Sequence, residues 1–472
     1  YLQQVMRRTA AERRNNSDTT SNSNNNTTNL LRHDMVVCSP SCNERKTDDG
    51  VVAGGDRLVE EIEAIIVKEM DRRQEYCRNS KNQTSATEIP TITLSFVGNS
   101  LGGLYSRYAI AKLAERCTRD AGDPPALLLN GKYRFHMNIF CTTATPHLGC
   151  ASHTFIRIPR TAELGIAHGM GETGRDIFRV NDLLRQMATL SQYIKPLRLF
   201  RQRIAYANAY GTDFPVPAQT AAFLNEQSDY PHFFSQDDDL RKLLEEEHSD
   251  LHIATMHTKP SGSGSGNTKE NEEFMFKDED FDKIAPETVG GDQELVIMSR
   301  SLDSLGWKKV FVDPRKFQPK MSNPIRKTAA SALARLNLSS TSTSTSGSDG
   351  ESFYSEDEDE SSEHNNNDSN NNEAMGAGAG FLDISRLKAR GVAGSREVFQ
   401  AVTSPPEANE QPFHWPFGHN MIVAMSRNSV YTYLNKGGRP IVHALATQLV
   451  EDIFSFTIND ETQKEQQQDQ NQ

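Results

Sequence analysis

One serine in this chain has the spacing expected of a catalytic nucleophile. Residues 98–102 read G-N-S-L-G, with Ser100 at the centre. The motif follows a β-branched apolar run, 91–97, and precedes a helical pattern of apolar residues, 104–116. A serine in a tight turn between a strand and a helix presents its hydroxyl at the edge of the sheet. The motif therefore predicts nucleophilic attack on an acyl carbonyl.

The neighbours of Ser100 indicate how such a turn would work. Glycine occupies both positions two residues from the serine, Gly98 and Gly102. We expect that a Cβ atom at either position would clash with the adjoining strand and helix. Gly103 adds room for close packing. The backbone N–H of Leu101, at the start of the helix, would point at an oxyanion formed on the substrate.

A serine nucleophile needs a base, and the base needs an orienting carboxylate. In strand–elbow–helix folds of this kind the chain order is serine, acid, histidine. Asp213 follows a predicted strand, 203–208, and would lie level with the elbow. The rivals are Asp176, Asp303 and Asp313, and Asp313 is the strongest because it also ends an apolar run.

Thirteen histidines compete for the role of base. His419 lies at the start of an apolar segment and after every candidate acid, so it fits best. His414 and His443 are expected to be structural. His147 ends a strand near the elbow but precedes the acid; with Leu148 it is expected at the wall of the pocket.

Strand and helix patterns alternate along the first half of the chain. Predicted strands are 35–39, 91–97, 135–142 and 203–208, and predicted helices are 58–70 and 104–116. This order favours a mostly parallel sheet covered on both faces. Later structured segments are 294–298 and 307–312, which bracket a turn at Gly306, then 421–425 and an amphipathic stretch, 441–456.

Composition divides the chain into one folded domain interrupted by insertions. The expected parts are a partial helix with an Asn/Ser-rich disordered loop (1–30), a core with the elbow and the acid (31–255), a flexible linker (256–290), a core strand region (291–320), a mostly disordered acidic Ser/Asn-rich insertion (321–405), a core segment carrying His419 (406–458) and a disordered Gln-rich tail (459–472).

Charge and hydropathy exclude several classes of protein. The net charge is −12, but ten acids lie between Asp349 and Glu373, and without them 53 acids face 51 bases. A nucleic-acid-binding surface therefore has no support. No apolar run is long enough to span a membrane. The six cysteines suit reduced thiols. Cys38 and Cys42 lie close together, but no second Cys or His pair has zinc-ligand spacing, so no metal site is expected.

Four segments together resemble the serine esterase/lipase family of eukaryotic α/β-hydrolases that includes the Rog-type lipases. They are 43–57, the elbow with its following R-Y-A, the T-T-A-T-P-H-L-G block at 142–149, and 207–217. Residues 305–307 and His419-Asn420 are also similar to the family. The resemblance implies an α/β-hydrolase fold and a triad of Ser100, Asp213 and His419 acting on acyl esters of lipids, with no cofactor.

One feature departs from the family pattern. Such hydrolases usually open with a strand that ends in His-Gly and supplies a second oxyanion donor. No such strand precedes the segment at 35–39. We expect that the natural protein extends upstream of Tyr1, and the alternative is an incomplete oxyanion hole.

Three functions fit these residues. The leading hypothesis is a carboxylester hydrolase that forms an acyl-enzyme on Ser100. A hydrolase-fold scaffold without catalysis, and an acyl transferase or thioesterase with the same triad, are the alternatives. An acyl-lipid substrate implies transient contact with a membrane or lipid-droplet surface. An intracellular location, in the cytoplasm or at a membrane surface, is expected, and the sequence does not identify a protein partner.

Overall fold

The computed structural model describes residues 1–20, 35–79, 91–120, 125–151, 160–209, 212–213, 215–225, 231–235, 253–260, 292–314, 393–394, 418–426 and 429–470. The helices are α1 Leu2–Thr20, α2 Gly50–Asn79, α3 Leu101–Arg116, α4 Arg160–Gly169, α5 Gly171–Ile177, α6 Leu183–Thr189, α7 Ser191–Arg198, α8 Ala218–Ala221, α9 Asp292–Asp303, α10 Gly418–Met421, α11 Ser429–Asn435 and α12 Arg439–Gln470, with a 3-10 turn at Lys436–Gly438. The strands are β1 Thr91–Asn99, β2 Cys117–Asp120, β3 Ala126–Leu129, β4 Tyr133–Thr143, β5 Gln202–Asn208, β6 Pro231–Ser235, β7 Ile253–His257, β8 Lys308–Val312 and β9 Ala393–Gly394.

These strands form one nine-stranded sheet. At its centre β1, β4, β5 and β8 are parallel neighbours in the order β1-β4-β5-β8. The short strands β2, β3, β6, β7 and β9 extend the sheet with antiparallel pairings. The predicted α/β fold with a mostly parallel sheet is confirmed.

Strands β4, β5 and β8 are largely buried because helices cover both faces of the sheet. Successive residues of β4 point to opposite faces, as a strand requires: Phe140 packs in a core cluster with α2 and α3, whereas Ile139 and Cys141 pack in a second cluster with α1 and α12. All three side chains are inaccessible to solvent. None of the described helices combines the length and the apolar character needed to cross a membrane.

Most elements predicted around the elbow are confirmed. The predicted strands at 91–97, 135–142 and 203–208 are β1, β4 and β5, and the helices at 58–70 and 104–116 lie within α2 and α3. The chain turns at Gly306, whose φ of 75° is a conformation that favours glycine. That turn joins α9, which contains the segment 294–298, to β8.

The predicted strand Met35–Ser39 is wrong. The segment is irregular and has no strand partner in the described part of the chain. Side chains of α1 take the hydrogen-bonding capacity that a strand would use: Gln3 Nε2 and Arg7 Nη2 both donate to the Val37 carbonyl oxygen, at 3.1 and 2.6 Å. An apolar run becomes a strand only where a neighbouring strand offers backbone partners.

Helices also extend into two segments that composition predicts to be disordered. Helix α1 continues to Thr20, inside the Asn/Ser-rich stretch, and α12 continues through the Gln-rich tail to Gln470. Gln, Glu and Lys are good helix formers, which explains the second extension. Strand β7 crosses the expected boundary at 255. The charged run 237–247, the linker 261–266 and the acidic stretch 339–380 lie outside the described residues.

Candidate active site

Ser100 occupies the turn between β1 and α3. Its φ of 53° and ψ of −126° are unfavourable for a residue with a side chain. Two backbone hydrogen bonds hold the turn: Ser100 N donates to Thr143 O at 2.9 Å, and Gly103 N donates to Ser100 O at 3.1 Å. Such strain at a sheet edge is typical of a nucleophile elbow.

The steric demand for glycine falls on Gly98 and Gly103. A Cβ atom on Gly98 would lie 2.5 Å from the Gly103 Cα, and one on Gly103 would overlap the side chain of Thr145. Around Gly102 no atom of the described residues lies within 4 Å of the Cβ position. The expected clash at Gly102 is therefore not found among the described residues.

His419 lies between Ser100 and Asp213. It sits in the short helix α10, and its Nε2 is 3.0 Å from Ser100 Oγ. Its Nδ1 is 3.2 Å from Asp213 Oδ2. Asp213 is fully buried, whereas 14% of the His419 side chain is exposed. The structure thus brings together three residues that are up to 319 positions apart in the sequence.

The Asp213 carboxylate is bound at both oxygens. Val216 N donates to Oδ1 at 2.9 Å, and Asn208 Nδ2 donates to Oδ2 at 2.8 Å. The loop of the acid also contacts the loop of the histidine, because Gly418 N donates to Thr212 O at 2.8 Å. Sequence reasoning missed Asn208; the available signal was a polar residue directly after the apolar run 204–207.

Two rival acids have other partners. Asp176 accepts hydrogen bonds from Val51 N at 2.6 Å, at the start of α2, and from Asn181 Nδ2. Asp303 forms a buried ion pair with Lys309 Nζ at 2.6 Å. Burial raises the pKa of Asp303 to about 6, an effect that the charge of Lys309 opposes. The third rival, Asp313, is buried directly after β8.

His147 is fully buried, and its ring packs edge-on against Phe223 and Trp307. Because arginine can only donate, the contact of 3.2 Å from Arg107 makes His147 Nδ1 an acceptor. The Nε2–H then donates to Thr142 Oγ1 at 3.0 Å, so the ring is neutral. Burial, followed by the charges of Arg107 and Lys309, holds the His147 pKa well below its usual value. His147 and Leu148 are both inaccessible to solvent.

The other features of the site follow from its position. Leu101 is the first residue of α3, where a backbone N–H has no acceptor within the helix. His443 contacts the Tyr1 hydroxyl at 2.9 Å and Arg8, whereas His414 lies outside the described residues. Among the described residues no cluster of His, Cys, Asp and Glu is arranged to hold a metal ion.

A segment of the chain matches a known family. Residues 14–224 match the model of the family described as Putative serine esterase (DUF676). This part of the chain is similar to that family. The DUF676 region contains the elbow and Asp213, whereas His419 lies beyond it. The match supports a hydrolase of the serine esterase type. No curated protein and no solved structure matches the chain.

Proposed function

We propose that the chain is a serine carboxylester hydrolase that acts on acyl lipids, with Ser100 as nucleophile, His419 as general base and Asp213 as the orienting acid. The observation that carries the proposal is the position of one imidazole between the serine hydroxyl and a buried carboxylate, at 3.0 and 3.2 Å. This geometry permits the proton transfer that a serine nucleophile needs.

The proposed mechanism uses the two contacts of the His419 ring, one with Asp213 and one with Ser100. His419 Nδ1–H donates to Asp213, which leaves Nε2 free to accept the Ser100 proton as Oγ attacks the acyl carbonyl. The Leu101 N–H stabilises the oxyanion that forms. The imidazolium then protonates the departing alcohol, and water releases the acyl group by the same steps in reverse.

The choice of an acyl-lipid substrate rests on the family resemblance and on an apolar residue at the elbow. Leu101 is partly exposed beside Ser100, where an acyl chain would lie. Leu148, expected at the wall of the pocket, and Leu104 of α3 are fully buried in the core and have no surface for a substrate. Contact with a membrane or lipid-droplet surface would be transient and would follow from the substrate.

A series of p-nitrophenyl esters tests the proposal on the intact natural protein. We expect hydrolysis with kcat/KM rising from the acetyl ester to longer acyl chains, and Ser100→Ala should abolish it. Hydrolysis that persists in Ser100→Ala would overturn the role of the serine. A preference for the acetyl ester would overturn the lipid substrate and leave the esterase in place.

A further inference from the structure

Asn208 and the candidate base, His419, contact the same oxygen atom of Asp213. It is the last residue of β5, and only 1% of its surface is exposed. Its Nδ2 donates to Asp213 Oδ2 at 2.8 Å, the same oxygen that lies 3.2 Å from His419 Nδ1. The amide and the imidazole thus bind one carboxylate oxygen together.

The carboxylate is fixed by donors on both sides. Oδ1 accepts from Val216 N at 2.9 Å, so rotation about the carboxyl group would break bonds at both oxygens. Val216 N belongs to the loop that also contains Asp213, whereas Asn208 is on the rigid central sheet. Asn208 is therefore the contact that ties the orientation of the acid to the sheet that also carries the elbow.

The carbonyl oxygen of the Asn208 side chain indicates why an asparagine occupies this position. Its Oδ1 is buried and has no hydrogen-bond partner among the described residues. An unpaired buried carbonyl oxygen destabilises the folded state. Packing alone would favour an apolar residue at this position, so the donor bond to Asp213 is the feature that explains the amide.

Asn208 also packs against Gly418, in the segment that carries His419. A Cβ atom on Gly418 would lie 3.0 Å from Asn208 Cγ and 2.8 Å from Thr212 O. Gly418 immediately precedes His419. The backbone at the residue before the base therefore packs directly on the Asn208 amide. One side chain contacts the acid and the segment that carries the base.

We propose that Asn208 is a positioning residue, whose amide N–H holds the Asp213 carboxylate in the orientation that receives His419. The proposal rests on the proposed function. Without this donor the carboxylate can turn away from the imidazole, and the proton transfer from Ser100 loses its alignment.

Asn208→Asp is the most specific test, because it keeps the shape and removes the donor only while the new acid is ionised. Two carboxylates at this distance repel each other, and as the pH falls the pair takes up one proton. The protonated member then donates to the other. Fluorophosphonate labelling, relative to wild type, should fall about tenfold at about pH 8.5 and recover severalfold at about pH 6.

Asn138→Asp is the matched control. Asn138 is a fully buried asparagine on β4, and its Oδ1 accepts from Arg201 Nε at 2.9 Å. An aspartate there gains an ion pair with Arg201, so its labelling relative to wild type should not change with pH. A flat ratio for Asn208→Asp as well would overturn the positioning role while wild-type labelling upholds the esterase.

Asn208→Ala gives a second measurement that does not depend on the new acid. We expect kcat to fall about 10- to 100-fold with KM nearly unchanged, equally at every pH. Thermal unfolding of each variant shows whether it is folded. A folded Asn208→Ala variant with wild-type kcat would overturn the proposal. Wild-type protein that reacts with neither ester nor probe would overturn the proposed function, and this proposal with it.

Discussion

The side chain of Thr145 occupies the space that a Cβ atom on Gly103 would need. Its Oγ1 also donates to Gly98 O at 3.4 Å, so one residue contacts both of the glycines that the elbow requires. Thr143, two residues earlier, accepts the Ser100 N–H. The end of β4 therefore supports the strained turn, and this packing determines which glycines are essential.

Gly103→Ala should destabilise the protein, by about 1–3 kcal/mol, because the new methyl group must displace Thr145 from its contacts. Gly102→Ala should be neutral or stabilising by up to about 1 kcal/mol, since its Cβ meets no described atom and alanine favours the helix. The free energy of unfolding in urea measures both. Equal losses for the two variants would contradict the packing described here.

Stability should fall as the pH drops below neutral, and His147 should account for part of the fall. Burial, with Arg107 and Lys309, holds its pKa below 6.5 in the folded state, so only the unfolded chain takes up the proton near that pH. The contribution is complete above about pH 6.5 and is lost toward lower pH, at up to about 1.4 kcal/mol per pH unit.

His147→Gln should therefore flatten the dependence of the unfolding free energy on pH between about 7 and 5. The exposed His168 provides the control, and His168→Gln should keep the wild-type slope. Urea unfolding at several pH values measures the three slopes. An unchanged slope in His147→Gln would show that the buried ring is not the group responsible.

The local part of the site was predictable from the sequence. The elbow requires a strand, a turn and a helix in immediate succession, and each is specified by residues within 91–116. The order of serine, acid and histidine along the chain then led to Asp213 and His419. Their convergence on Ser100 depends on the parallel order of β1, β4 and β5, which the alternation of strands and helices predicts.

The parts that were not predictable depend on contacts between distant segments. The sequence around the elbow does not show that Thr145 packs against Gly103 and leaves Gly102 without a neighbour among the described residues. The segment 35–39 has the composition of a strand, but the side chains of Gln3 and Arg7 bind its carbonyl. Asn208 is the last residue of β5, and the sequence does not show its contact with Asp213. That contact forms because the chain after β5 folds back and brings Asp213 beside the end of the strand.

Asp213→Asn should lower kcat by about 10⁴, because an amide can donate to His419 Nδ1 and stabilise the wrong tautomer. Asp176→Asn is the matched control: it changes another buried carboxylate of the same region, which binds Val51 N and Asn181. That variant should keep wild-type kcat at a temperature where it is folded. Steady-state kinetics on a p-nitrophenyl ester compares the two, and a larger loss in Asp176→Asn would contradict the assignment of the acid.

The most direct test of the central claim is fluorophosphonate labelling of the natural protein with the modified residue mapped by mass spectrometry. We expect one adduct, on Ser100 Oγ, that is absent from Ser100→Ala and strongly reduced in His419→Ala. Ser106→Ala, which removes a hydroxyl bonded to Gly102 O on the same helix, should label like wild type. An adduct on another residue, or no adduct in the folded wild-type protein, would contradict the account.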